Sequence, residues 1–85
     1  MIFDSILDTI GKTPVVRLNK IGIELDCDLF VKCEYFNPGG SVKDRAALAL
    51  IRDAEEKKLI SKGGTVVEGT AGNTGIGLCL LGNSL

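Results

Sequence analysis

A lysine at the start of a predicted helix is the side chain in this sequence best placed to do chemistry. Lys43 follows a loop with two adjacent glycines, in the run Asn37 to Arg45 (NPGGSVKDR). Ser41 is a good N-cap because its hydroxyl can accept an amide hydrogen of the first turn, so a helix is expected to begin one residue later. Since Lys43 lies one turn before Ala47, on the apolar side of this helix, its amine is expected to point toward the interior.

This position predicts an amine that reacts as a nucleophile. The positive end of the helix dipole and an apolar wall both disfavour the ammonium form, so they would lower the pKa of Lys43 from its reference of about 10.4. An unprotonated lysine is a candidate nucleophile. Two other arrangements stay open, in which Lys43 pairs with Asp44 or extends past the loop into water.

A second loop, between Gly69 and Gly77, is suited to bind an anion. Its glycines let the backbone approach a ligand closely, and the first amides of a helix that begins near Asn73 can donate to a carboxylate or a phosphate. The loop is not a dinucleotide fingerprint, because Leu80 replaces the third glycine, and it is not a Walker loop, because Leu78 replaces the lysine. The structural alternative is a turn in which Asn73 is only the N-cap.

The pattern of apolar and turn residues predicts the elements that position these loops. Helices are expected over residues 2–10 and 42–59 and from residue 73 onward, and strands over 15–18, 29–33 and 65–68, with a polar connection over 19–28. Strands and helices in alternation are typical of a parallel sheet with right-handed crossovers. Ligands bind beyond the carboxyl ends of the strands in such sheets, so both loops are expected to face one crevice.

Composition and charge exclude several classes of protein. A chain with 45% hydrophobic and 25% charged residues is typical of a globular domain, and a net charge of −1 offers no surface for nucleic acid. Its apolar runs are too short to cross a bilayer and no signal or transit peptide is visible, which predicts a cytoplasmic protein. Three cysteines without C-x-x-C spacing and the lack of histidine indicate reduced thiols, with neither a metal site nor an imidazole-dependent triad.

Both loops, together with Ile10 to Leu18 (IGKTPVVRL), closely resemble motifs of the fold type II pyridoxal-phosphate enzymes, in particular cysteine synthase and cystathionine β-synthase. The resemblance covers nearly the whole chain and implies an α/β fold, the three-layer parallel-sheet fold of the tryptophan synthase β-like class. Residues 1–85 would form a single partial domain, the N-terminal part of a pyridoxal-phosphate-dependent catalytic core.

The same resemblance assigns roles to residues of both loops. It implies that Lys43 binds the cofactor, pyridoxal 5′-phosphate, covalently and removes the Cα proton of the substrate, and that Asn73 bonds the 3′-oxygen of the cofactor. It also implies that the substrate α-carboxylate is held by five consecutive residues: Thr70, Ala71, Gly72, Asn73 and Thr74. Ala71 takes the place of a serine found in many cysteine synthases, so one hydroxyl of the family pattern is missing.

The activity that the resemblance implies is a β-replacement that forms L-cysteine from O-acetylserine and sulfide. The alternative is the condensation of serine with homocysteine, as in cystathionine β-synthase; a serine or threonine dehydratase is less favoured. The resemblance further implies a homodimer for the full-length protein and serine acetyltransferase as a partner.

A non-catalytic alternative follows from the length of the chain. The family's phosphate loop and the serine or threonine that faces the pyridine nitrogen would lie beyond Leu85. The 85 residues alone are therefore expected to bind the cofactor weakly and to turn over little substrate, as a fragment, a split gene product or a truncated reading frame. Such a chain could be an incompetent piece that only packs with another chain.

Overall fold

The computed structural model describes all 85 residues and contains few regular elements. In chain order they are a 3-10 helix at Ile6–Thr9, strand β1 at Val15–Arg17, helix α1 at Asn19–Glu24, strand β2 at Phe30–Lys32, a 3-10 helix at Glu34–Phe36, helix α2 at Lys43–Glu56 and helix α3 at Asn73–Ser84. None of the helices is long and apolar enough to span a membrane.

The two strands form an antiparallel pair, in which Val16 lies opposite Val31. The alternation of strands and helices predicted a parallel pair from the strands expected over 29–33 and 65–68, whereas a polar connection was expected between β1 and β2. The residues between them form only the six-residue helix α1 and short turns, whereas a parallel crossover needs about a dozen residues or more, usually as a longer helix. The predicted strand over 65–68 is also absent, because no neighbouring strand offers it hydrogen-bond partners.

The two long helices begin close to their predicted positions. Helix α3 begins at Asn73, as expected, and α2 begins at Lys43 but ends at Glu56, earlier than residue 59. Helix α2 stops because Lys58 adopts a left-handed conformation with φ of 59°. The Leu59 amide then donates to the Ala54 carbonyl at 2.8 Å, which closes the helix end in a Schellman arrangement.

Two segments near the N-terminus differ from the prediction. The helix expected over residues 2–10 is a single 3-10 turn, whose first amides are capped by the Ser5 hydroxyl, 3.2 Å from the Leu7 nitrogen. The connection expected over residues 19–28 contains helix α1. The backbone bends at the end of that helix, where the Cys27 amide donates to the Gly22 carbonyl at 2.9 Å.

The buried core lies between α2 and α3. Ala47 and Leu81 are fully buried there, and Leu7 of the first 3-10 helix packs against them. Gly77 allows the close approach of the helices, because a methyl group at that position would lie 3.1 Å from Ala47 Cβ and 3.2 Å from the Lys43 carbonyl oxygen. The radius of gyration of 16.4 Å exceeds the roughly 12 Å of a compact domain of this length, so much apolar surface stays exposed.

Replacing Leu81 with alanine tests this core. Leu81 is 0% exposed, so Leu81→Ala should lower the free energy of unfolding by about 2–5 kcal/mol through lost contacts and a cavity. The matched control is Leu50→Ala on the outer side of α2, where Leu50 is 58% exposed. This variant should change the free energy of unfolding by no more than about 0.5 kcal/mol. Urea unfolding followed by circular dichroism measures both, and equal effects of the two variants would contradict the described core.

Candidate functional site

Asn37 closes the loop that leads to Lys43. Its side chain is buried, and its amide nitrogen donates to the carbonyl oxygens of Glu34 and Ser41, each at 2.9 Å. Its Oδ1 accepts from the Gly11 amide at 2.8 Å. The loop is therefore shaped by one buried amide that reaches both ends of it and the N-terminal segment.

An ion pair between Arg45 and Glu34 fixes the other side of this loop. Arg45 donates from Nε to Glu34 Oε2 at 2.7 Å and from Nη2 to Oε1 at 3.0 Å, which is the strong two-pronged geometry. Nη2 also donates to the Gly11 carbonyl at 3.0 Å, and the Thr13 hydroxyl donates to Glu34 Oε1 at 2.7 Å. Arg45 is half-buried, because it is held against this carboxylate.

Hydrogen bonds from Arg45, and then from Thr13, hold the pKa of Glu34 down, to about 2 from its usual value of 4.5. The same hydrogen bond raises the pKa of Arg45. Glu34 is therefore a carboxylate throughout the physiological range, and it ties the segment from Gly11 to Thr13 to the first turn of α2.

Lys43 itself is exposed, and the prediction that it points into the interior is wrong for this chain. Its backbone nitrogen donates to the Ser41 hydroxyl at 3.1 Å, as expected of the N-cap. The inward position of this turn is taken by Asp44, which is fully buried and lies on the same side of α2 as Ala47 and the half-buried Ile51.

The alternative in which Lys43 pairs with Asp44 is also excluded. Asp44 Oδ2 instead accepts from the Gly39 amide at 2.5 Å, and Oδ1 has no hydrogen-bond partner within the chain. Lys43 takes part in none of the ion pairs of the chain. Its amine is thus free at the surface, on a helix start whose neighbouring residues are firmly held.

Thr70 organises the second loop. Its hydroxyl oxygen accepts from the amides of Gly72 at 3.3 Å and Gly75 at 3.2 Å, so it caps the start of α3 in place of the predicted Asn73. The backbone amides of Asn73 and Thr74 have no acceptor within the chain. Two free donors at a helix start can bind an anion.

The two loops are brought to one helix pair rather than to a closed pocket. Gly77 of α3 lies against the first turn of α2. A methyl carbon placed on Gly77 would lie 3.2 Å from the Lys43 carbonyl oxygen. The largest cavity, of about 570 Å³, lies farther along, between α3, the end of α2 and residues 60–70. Thr70 is the one predicted site residue that lines it; Lys43, Ala71, Gly72, Asn73 and Thr74 do not.

Comparison with known proteins identifies the family. A family model described as pyridoxal-phosphate dependent enzyme matches residues 6–85, and the chain therefore belongs to this family. Cystathionine beta-synthase of Dictyostelium discoideum is 59% identical over 80 residues, which are 94% of this chain and 16% of that protein. Cysteine synthase 1 of Neurospora crassa is 64% identical over 69 residues, 81% of this chain and 18% of that protein.

Solved structures give the same result for the fold. O-ureido-L-serine synthase superposes with a TM-score of 0.91 at 52% identity, over 99% of this chain and 26% of that one. Its K43A mutant with bound O-ureido-L-serine superposes with a TM-score of 0.89 at 51% identity, over 99% and 26%. The predicted fold class, an incomplete portion of the fold type II pyridoxal-phosphate architecture, is confirmed. The chain spans only about a sixth to a quarter of the length of these relatives.

The pH dependence of stability tests the Glu34 network. The folded chain holds the pKa of Glu34 at about 2, below its usual 4.5, so this group stabilises the fold fully above about pH 4.5. That contribution is lost as the pH falls from about 4.5 toward 2. The difference in free energy of unfolding between wild type and Glu34→Gln should therefore be largest above pH 4.5 and shrink toward pH 2.

Glu24→Gln is the control, because Glu24 is exposed and forms no ion pair. Urea titrations at pH 6, 4 and 3 would serve, because pH 6 lies above the usual pKa of 4.5 and pH 4 and 3 lie between that value and the lowered pKa of about 2. A constant difference between wild type and Glu34→Gln across this range would show that the ion pair does not hold the loop.

Proposed function

We propose that this chain carries the reactive lysine and the substrate-carboxylate loop of an enzyme that replaces the β-substituent of a serine-derived amino acid. The observation that supports this most directly is the packing of the two helices that begin at the two loops. Lys43 is the first residue of α2, Asn73 is the first residue of α3, and the helices meet where Gly77 approaches the Lys43 carbonyl. One ligand bridging both helix starts would meet an amine and a set of amides.

The groups at these helix starts fit pyridoxal 5′-phosphate. The Lys43 amine is exposed and unpaired, and a primary amine is the group that captures an aldehyde. Nothing lies within 4 Å of a methyl group placed on Gly72, so the loop leaves room for an anionic group beside the free amides of Asn73 and Thr74. When bound, the cofactor supplies the aldehyde and a ring that delocalises negative charge from the substrate Cα.

Each loop residue has a proposed role. Lys43 would hold the cofactor through its amine and act as the base that takes the Cα proton. Asn73 would donate its side-chain amide to the 3′-oxygen of the cofactor. The substrate α-carboxylate would be held by backbone amides and threonine hydroxyls of the second loop, from the residues Thr70, Ala71, Gly72, Asn73 and Thr74. Ala71 has no side-chain donor and would contribute only through its backbone.

The relative crystallised with its amino acid supports the role of the lysine. In that O-ureido-L-serine synthase the replaced residue is a lysine that carries the same number as Lys43, and the mutant holds O-ureido-L-serine. Removing the amine there left a protein that binds the amino acid. This agrees with a division of labour in which the second loop binds the substrate and the lysine does the chemistry.

We propose O-acetylserine and sulfide as the substrates and L-cysteine as the product. The 64% identity to a cysteine synthase supports this choice. Condensation of serine with homocysteine is the second candidate, since the 59% identity to a cystathionine beta-synthase extends over more of the chain. A homodimer of the full-length protein and serine acetyltransferase as its partner stay predictions of the resemblance. A cytoplasmic location stays a prediction from the short apolar runs and the lack of a visible targeting peptide.

Chemical trapping tests the role of Lys43 in this chain. Incubation with pyridoxal 5′-phosphate, reduction with borohydride and peptide mass spectrometry measure how much of each lysine is labelled. We expect Lys43 to be labelled at least about tenfold more than Lys62, a preference worth about 1.4 kcal/mol. Lys62 is the internal control because it is also exposed but lies outside both loops. Equal labelling of the two lysines in the folded chain would refute the cofactor role.

A chimaera tests the nucleophile. These residues would replace the matching residues of Neurospora crassa cysteine synthase 1, which are 64% identical, and of Dictyostelium discoideum cystathionine beta-synthase, which are 59% identical. We expect the first chimaera to form cysteine from O-acetylserine and sulfide, and Lys43→Ala to lower its kcat by at least about a hundredfold, as for loss of a general base. The alternative, condensation of serine with homocysteine, would be favoured if the cysteine synthase chimaera were inactive with sulfide while the cystathionine beta-synthase chimaera condensed serine and homocysteine.

A further inference from the structure

We infer that Asp44 is a positioning residue that sets Lys43 relative to the second loop, an inference that rests on the proposed function. Asp44 is 0% exposed and follows directly after Lys43 on the first turn of α2. Its side chain lies between a glycine of the first loop, Gly39, and a glycine of α3, Gly77. It is therefore the one carboxylate that touches both halves of the candidate site.

On the first-loop side, the carboxylate holds the backbone directly. Asp44 Oδ2 accepts from the Gly39 amide at 2.5 Å, and a methyl group at Gly39 would run into the same carboxylate. This hydrogen bond closes the loop back onto the helix five residues later. The position of the Lys43 backbone, between the loop and Asp44, is fixed as a result.

On the α3 side, the contact is one of close packing. A methyl group at Gly77 would lie 3.3 Å from Asp44 Oδ1 and 3.2 Å from the Lys43 carbonyl oxygen. Any movement of the carboxylate toward α3 would push that helix, and with it the loop that begins at Thr70. Asp44 is thus the spacer between the turn that carries the amine and the helix that carries the free amides.

The hydrogen bonding of Asp44 argues against a purely stabilising role. Oδ1 is buried and has no hydrogen-bond partner within the chain. A buried acceptor without a partner costs stability, and a buried carboxylate costs more, so each such group in a native protein calls for an explanation. The positive end of α2 and one amide offset only part of this cost. Holding the geometry of a site is a function that would retain the residue.

The trapping experiment on Lys43 tests this inference with Asp44→Ala and Asp44→Asn. In Asp44→Ala the ratio of Lys43 to Lys62 labelling should fall by about tenfold, because a displaced reactive group loses most of the advantage of its position. Asp44→Asn keeps an oxygen for the Gly39 amide and should restore the ratio to within about twofold of wild type. An unchanged ratio in Asp44→Ala would overturn the inference, and so would an asparagine variant as low as the alanine variant.

Amide hydrogen exchange supplies a readout that needs no cofactor. In Asp44→Ala the Gly39 amide should exchange faster, whereas the Gly40 amide, which donates to the Asn37 carbonyl at 2.8 Å, should keep its rate. Equal protection of Gly39 in wild type and variant would contradict the inference. If Asp44→Ala loses its helical circular dichroism, Gly39→Ala replaces it, since the added methyl group moves the Asp44 carboxylate but does not remove its charge. The ratio of Lys43 to Lys62 labelling in Gly39→Ala should fall in the same way. An unchanged ratio would overturn the inference.

The two proposals fail in different ways. If wild type labels Lys43 and Lys62 equally, the proposed function fails, and the exchange of the Gly39 amide still decides whether Asp44 holds the loop. If wild type prefers Lys43 and Asp44→Ala keeps that preference, the proposed function stands and the positioning role is wrong.

Discussion

The structure depends on the contact between a glycine of one helix and the first turn of another. A methyl group at Gly77 would lie 3.1 Å from Ala47 Cβ and 3.2 Å from the Lys43 carbonyl oxygen. Because close packing tolerates little extra volume, this contact sets how near α3 can come to α2. The distance between the helices in turn sets how far the groups at the two helix starts lie from one another. These groups are the Lys43 amine at the start of α2, the free amides at the start of α3 and the Asp44 carboxylate between the two helices.

The charged and polar residues around the first loop act on the backbone rather than on a ligand. Glu34 receives two hydrogen bonds from Arg45, Asn37 bonds both ends of the loop, and Asp44 accepts from Gly39. These side chains leave Lys43 as the free functional group of the motif. A sequence motif of nine residues therefore contains one candidate for chemistry and several residues that hold its backbone in place.

The sequence predicted the parts of this arrangement that local chemistry determines. The hydroxyl of Ser41 and the glycine loop before Asn73 were enough to locate the starts of α2 and α3. Periodicity could not choose between Lys43 and Asp44, because they lie four and three residues before Ala47 and both therefore extend its face of the helix. The inward position is taken by Asp44, whose carboxylate accepts from the Gly39 amide. The strand expected over 65–68 failed for a related reason, since a strand forms only where a neighbour supplies hydrogen bonds.

The two ends of α2 are held very differently. Near Lys43 the backbone is held by hydrogen bonds to buried side chains. At the other end the helix closes at Lys58, whose backbone adopts the left-handed conformation in which glycine is favoured. That conformation costs about 1–2 kcal/mol for a residue other than glycine. Fraying of α2 is therefore expected to start at its C-terminus, so the turn that bears the amine would be the last part of the helix to melt.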